Sequence, residues 1–207
     1  MGLVLTVPPS VEPLTLDDAK LHVRVDGTTE DALITSLIVA ARMEAENRAG
    51  VGIITQTWRE TLSCFPSYIT GYGWEYGGGP DMFGDVIRLS RGPVQSITSI
   101  QYLDLGGQTQ TLSSDIYVLE STPVSDEISL AFGKIWPLIP PQANAIAITY
   151  VVGYADDAVD VPPDLVAALK LRVEDLYRNR GVQIGESAAE NAAFSALLGR
   201  FERTWLR

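Results

Sequence analysis

Asp160-Val-Pro-Pro-Asp-Leu-Val-Ala-Ala-Leu-Lys-Leu-Arg-Val-Glu-Asp-Leu-Tyr177 is the stretch on which the fold turns. Pro162 and Pro163 suit the first turn of a helix, where a backbone N–H has no intrahelical acceptor. Leu165, Ala168, Leu169, Val173, Leu176 and Tyr177 then recur at helical spacing as one apolar stripe, which Gly181 ends. Helical texture therefore returns here, after roughly one hundred residues that read as strand.

Upstream of that β-like region the chain is also helical. Thr15 and Asp18 form an acidic version of the capping box, and Leu16, Ala19 and Val23 follow, predicting a short helix from Thr15 to Val25. Asp26-Gly27 is a turn. Thr28 and Asp31 repeat the start signal, and Leu33, Leu37, Ala40, Ala41 and Met43 or Glu44 predict a second helix over Glu30 to Ala49, stopped at Gly50. A fourth helix is predicted from the Ser187 and Glu190 box, with Phe194, Leu197, Leu198 and Phe201 on one face.

Between the helical ends, β-branched and aromatic runs predict seven strands: Ile54 to Leu62, Val86 to Leu89, Val94 to Leu103, Gln108 to Leu112, Tyr117 to Leu119, Ile128 to Ala131 and Ala145 to Val151. Asp104-Leu-Gly-Gly107 supplies the residues of a hairpin turn. Two isolated amphipathic pairs would each leave an apolar face wet, so the helices at the two chain ends must pack together. The expected class is α+β. A four-helix scaffold formed by both ends, 1–50 and 153–207, carries an inserted antiparallel β sandwich or barrel-like domain, 51–152.

Composition bounds the function. The 207 residues are 46% hydrophobic and 20% charged, a balance that supports a packed core. A formal net charge of -11 repels phosphate and anionic lipid, which argues against tight DNA binding by a basic face. Cys64 is the sole cysteine, so no intrachain disulfide or cysteine-rich zinc site can form, and a reducing compartment is expected. Met1 to Pro9 lacks the basic and apolar regions of a signal peptide, and no run is long enough for a membrane helix. The expectation is a protein made and used in solution, without membrane contact.

Catalytic chemistry finds little to build on, and no enzyme activity, cofactor or metal is expected. His22 is the only histidine and reads as a partly exposed helix residue. Cys64 lacks a basic neighbour other than Arg59 and reads as a buried, inert thiol. Asp156, Asp157 and Asp160 lack the spacing of a calcium loop and suit the start of the following helix. Asp17-Asp18, Glu30-Asp31 and Asp126-Glu127 fall at helix starts or a turn.

Two segments are candidate contact surfaces. Residues 67–85 form a long Gly/Tyr-rich excursion carrying Tyr68, Tyr72, Trp74 and Tyr76, followed by Gly77-Gly-Gly79 without the helix and lysine of a nucleotide loop. It is either a protein or sugar contact or a flexible spacer. At the C-terminus, Arg200, Phe201, Arg203, Trp205, Leu206 and Arg207 interleave basic and aromatic side chains as interface anchors do, the alternative being a frayed end.

The ordered set of segments resembles the head-tail connector (adaptor) proteins of tailed phages and phage-derived gene transfer particles. Glu12-Pro-Leu-Thr-Leu-Asp-Asp-Ala-Lys-Leu-His-Val-Arg-Val-Asp26, Asp31-Ala-Leu-Ile34, Ile54-Thr-Gln-Thr-Trp58, Leu89-Ser-Arg-Gly-Pro93 with Val94 to Ile100, and Val152-Gly-Tyr154 through Val161-Pro-Pro-Asp164 carry the likeness. The resemblance implies a virion protein at the head-tail interface, assembled in the host cytoplasm. It implies a ring of about twelve copies between portal and tail, touching the portal and a tail-proximal stopper or tail-completion protein, with DNA passing through unbound. Residues 67–85 are longer than that pattern, and no proline follows Leu197-Leu198. A carbohydrate- or receptor-binding virion module using the β insert is the alternative.

Overall fold

The structure, a computed structural model, describes residues 2–66, 86–140, 142–179 and 191–203. They fall into two compact units, one made of 2–8 and Gln56–Val152, the other of Pro9–Thr55 and Gly153–Arg203. The class is α+β with antiparallel sheets.

In the second unit, α1 (Leu16–Val23) starts where Thr15 accepts a hydrogen bond from the Asp18 N–H, and Arg24 ends it in the left-handed region. Helix α2 (Asp31–Ala49) stops at Gly50, whose φ of 70° suits a residue without Cβ. Its buried face is Ile34, Ile38, Ala41, Ala45 and Ala49, rotated from the expected Leu33, Leu37 and Ala40. Leucine and isoleucine alternate around this helix, so spacing alone does not choose the face; the small Ala41, Ala45 and Ala49 let a neighbour approach closely.

Helix α3 (Pro163–Arg178) buries Leu165, Ala168, Leu169 and Val173, the expected stripe. Helix α4 (Ala192–Leu198) is capped by Asn191, whose side chain accepts from the Ala193 and Phe194 N–H groups; Gly181, Ser187 and Glu190 lie outside the described residues. Side chains from all four helices join one apolar core with Val51, Ile53, Ile54 and Val161. The two sequence halves of this unit meet at an Ile54/Ala155 bridge, with the Tyr154 N–H on the Ile53 carbonyl. Gly153 makes that approach possible: at a φ of 152° a Cβ there would lie 2.7 Å from the Thr55 backbone.

The β unit holds a five-stranded antiparallel sheet in the order β1-β2-β8-β4-β5 and a three-stranded sheet in the order β3-β7-β6. The strands are β1 (Gly2–Val7), β2 (Gln56–Leu62), β3 (Ile87–Arg88), β4 (Val94–Leu103), β5 (Thr109–Thr111), β6 (Tyr117–Ser121), β7 (Asp126–Leu130) and β8 (Ile146–Val152). Seven lie where the sequence places strands; β1 does not. Residues 2–7, assigned by sequence to the helical end, pair with β2 from Gly2 opposite Thr61 to Val7 opposite Thr57. The five-stranded sheet ends at β1 on one side and β5 on the other, so of the sandwich or barrel-like forms expected it does not close into a barrel. Its core side contributes Ile100, Ile146, Ile148, Tyr150 and Val152, packed with Leu89, Leu112 and Ile128.

Candidate assembly surfaces

Buried polar groups fix the scaffolds on which any contact surface must stand. In the β unit, strand alternation turns Glu60 into the core, where its carboxylate accepts from the Ser90 N–H (3.0 Å), the Ser90 hydroxyl (2.7 Å) and the Tyr150 phenol (2.9 Å). Burial raises the Glu60 carboxyl above its ordinary range, against the pull of these donors, and burial beside Glu60 likewise raises the Tyr150 phenol. Arg91 lies over the Trp58 ring at 4.9 Å, and a cis peptide joins Gly92 to Pro93. Leu89-Ser-Arg-Gly-Pro93 is thus the segment that satisfies the buried Glu60. Asp126, expected in a turn, opens β7 fully buried, accepting from the Val94 N–H at 3.1 Å and from the Ser121 hydroxyl.

In the helical unit, Arg42 is held by Glu12 (2.7 and 3.1 Å) and Glu46 (2.9 Å), and Glu46 also accepts from the Ile53 N–H at 3.0 Å. Burial disfavours the Arg42 charge, but the two carboxylates more than offset it and raise its pKa. This network ties the chain before α1, the α2 helix and the chain after Gly50 together.

The remaining sequence candidates have structural partners. The imidazole Nε2 of His22 lies 3.2 Å from a Glu174 carboxylate oxygen. Cys64 is half-buried, and not enclosed as expected, because it lies just beyond the end of β2. Asp156 accepts from the Thr55 hydroxyl. Among the described residues no group of three or more metal-ligating side chains could hold an ion, and no helix is long and apolar enough to cross a membrane.

The C-terminal candidates are turned partly inward. Arg200 pairs with Asp164 yet keeps 68% of its side chain exposed, whereas Phe201 packs edge-on against Tyr154 at 5.6 Å. Glu202 pairs with Arg48, and the buried Arg203 donates its backbone N–H to the Ala49 carbonyl. Among the described C-terminal candidates, Arg200 has the most exposed side chain. Trp205, Leu206 and Arg207 lie outside the described residues, as do Tyr68, Tyr72, Trp74 and Tyr76.

Two apolar surfaces went unremarked in the sequence. Along β1, Val4 and Val7 are 60% and 54% exposed on the open edge of the sheet. Between β7 and β8, Phe132, Ile135 and Leu138 are 105%, 81% and 79% exposed. The latter stand on a braced loop. Trp136 stacks on Phe65 at 4.9 Å and Ile139 packs on the β core, while Lys134 pairs with Asp115 and the Ala131 N–H donates to Ile116.

The chain is similar to known proteins in part of its sequence and in its fold. The family model of the phage gp6-like head-tail connector protein matches residues 13–63. No curated protein matches the chain. Among solved structures, a chain in the neck of an empty gene transfer agent (GTA) particle, computed with C6 symmetry, superposes with a TM-score of 0.76 at 22% identity, covering 98% of this chain and 95% of that one. Chains in the virion of a native GTA particle and in the neck of a native GTA particle computed with C12 symmetry each give 0.74 at 21% identity over the same shares. The resemblance to head-tail connectors drawn from the sequence is thus matched by a connector-family model over residues 13–63, and the fold is shared with chains in the neck and virion of GTA particles.

Proposed function

We propose that this chain is a structural head-tail connector that closes a ring of about twelve copies between the portal and the tail of a phage or phage-like particle. The observation that carries the reading is the connector-family match over residues 13–63, which spans Thr15, α1, α2 and the whole of β2. The neck fold and the buried networks support it: Glu46 in the helical unit and Glu60 in the β unit each accept hydrogen bonds that brace the unit around them, as suits a load-transmitting part.

The acidic balance suits such a role. A ring of about twelve chains at -11 carries on the order of -130 formal charges, and carboxylates that face the channel repel DNA instead of trapping it. Asp17, Asp18, Asp156 and Asp157 of the helical unit are exposed, and we assign them to that task. Arg200 and the residues after Arg203 dock on the portal, and the β unit faces the tail-completion protein.

Electron microscopy of the purified protein with and without its portal tests the reading. A ring of about twelve subunits seated on the portal is expected. A monomer indifferent to the portal overturns it, and glycan binding by that monomer would establish a carbohydrate-binding module instead.

A further inference from the structure

Two copies of a chain with a net charge of -11 repel each other, so they must meet where charge is low. Two uncovered apolar surfaces of the β unit meet that condition. Gly2–Val7 contains no ionisable side chain, and the stretch from Ala131 to Pro140 contains only Lys134, whose charge is paired with Asp115. Among the described residues, nothing covers Val4 and Val7 on one surface or Phe132, Ile135 and Leu138 on the other.

Each surface also lacks the usual protection. An edge strand is normally blunted by lysine, by proline or by a bulge. The first four residues of β1 have none of these; the irregularity in its pairing comes only between Leu5 and Val7. The loop cannot fold its apolar tips inward, because Trp136 and Ile139 already occupy the core side.

We infer that Phe132, Ile135 and Leu138 of one copy seat against the β1 edge of the next copy. The inference rests on the ring proposed above and names the contact that propagates it. A closed ring of more than two members needs a head-to-tail contact between two different surfaces of the same chain. An edge-to-edge pairing of β1 with β1 is self-complementary and stops at a dimer. The loop tips present on the order of 400 Å² of apolar surface, short of the ~800 Å² per partner of a stable binary complex. The contact is thus too small to hold a free dimer and suited to a ring, where every copy is gripped from both sides.

Cysteine cross-linking within assembled particles tests this, and Cys64→Ser clears the background because no other cysteine is present. Val4→Cys or Val7→Cys is combined with Phe132→Cys, Ile135→Cys or Leu138→Cys, and the particles are mildly oxidised. A disulfide forms only where Cα atoms come within about 7 Å. At least one combination is expected to give a non-reducing ladder of multimers up to the full ring, with single-cysteine chains staying monomeric. Monomers from all six combinations, in particles whose rings are visible by electron microscopy, overturn the contact and leave the ring reading intact. Dimers from single-cysteine β1 variants overturn it in favour of edge-to-edge pairing. Particles without a ring remove the proposed function itself, and this contact with it.

Discussion

The Tyr150 phenol donates to the Glu60 carboxylate over 2.9 Å, joining the neighbouring strands β8 and β2 on the buried side of their sheet. The bond replaces water around a fully buried acid, and Ser90 supplies the other donors. Tyr150→Phe keeps the ring and removes one donor to a buried acid. Hydrogen bonds to charged groups are worth about 1.5–3 kcal/mol. Urea unfolding is expected to show a loss of that size with an unchanged m value.

Glu60 also makes the β unit sensitive to pH. Its carboxyl is raised above the usual glutamate range, chiefly by burial, so the folded state binds the proton more tightly than the unfolded chain. The stability it contributes is full below the ordinary glutamate pKa and is lost as pH rises through the higher folded value. Unfolding free energies measured across that window should fall for the natural protein relative to Glu60→Gln, which has no proton to lose. Parallel curves would contradict the assignment.

Arg42 is the hinge of the helical unit's ion network. Arg42→Met retains the length of the side chain but takes the guanidinium away from the buried Glu46 carboxylate, which keeps its bond from the Ile53 N–H. Breaking a buried pair by removing one partner costs about 3–5 kcal/mol. Thermal unfolding should shift down by several degrees, whereas Arg178→Met, at an ion pair whose arginine is exposed, should move it little.

Deleting residues 204–207 leaves the Arg48–Glu202 pair, the Phe201–Tyr154 contact and the Arg203 backbone bond in place. The shortened chain is expected to keep its melting temperature within a degree and to lose portal attachment in a pull-down. Undiminished attachment would remove the C-terminal residues from the portal contact.

What the sequence made legible was local. Thr15 before Asp18, Gly50 after Ala49 and Pro162 before α3 each act within one turn, and the helices lie where those residues put them. Strand texture likewise placed β2 through β8. The signal failed where pairing spans the chain: Leu3 lies opposite Glu60, and nothing in residues 2–7 reveals a partner more than fifty positions away. Asp126 reads as a turn residue because an acid at a strand start looks solvated until its donors, Val94 and Ser121, are brought beside it. Glu60 carried a readable trace, since Trp58 and Leu62 flank it on the same side of a period-2 strand. The exposed loop tips had none: Phe132, Ile135 and Leu138 are as apolar as Trp136 and Ile139, and only the fold separates those inside from those outside.

The bridge at Ile54 and Ala155 sets a timetable for synthesis. A ribosome finishes every described strand by Val152, while the apolar face of α2 still awaits α3 and α4, which have yet to be translated. Domains fold as units once their residues are available, so the inserted unit can mature first and the helical unit last. A nascent chain cut short before α3 and α4 therefore presents an unfinished helical unit beside a β unit whose described strands are complete.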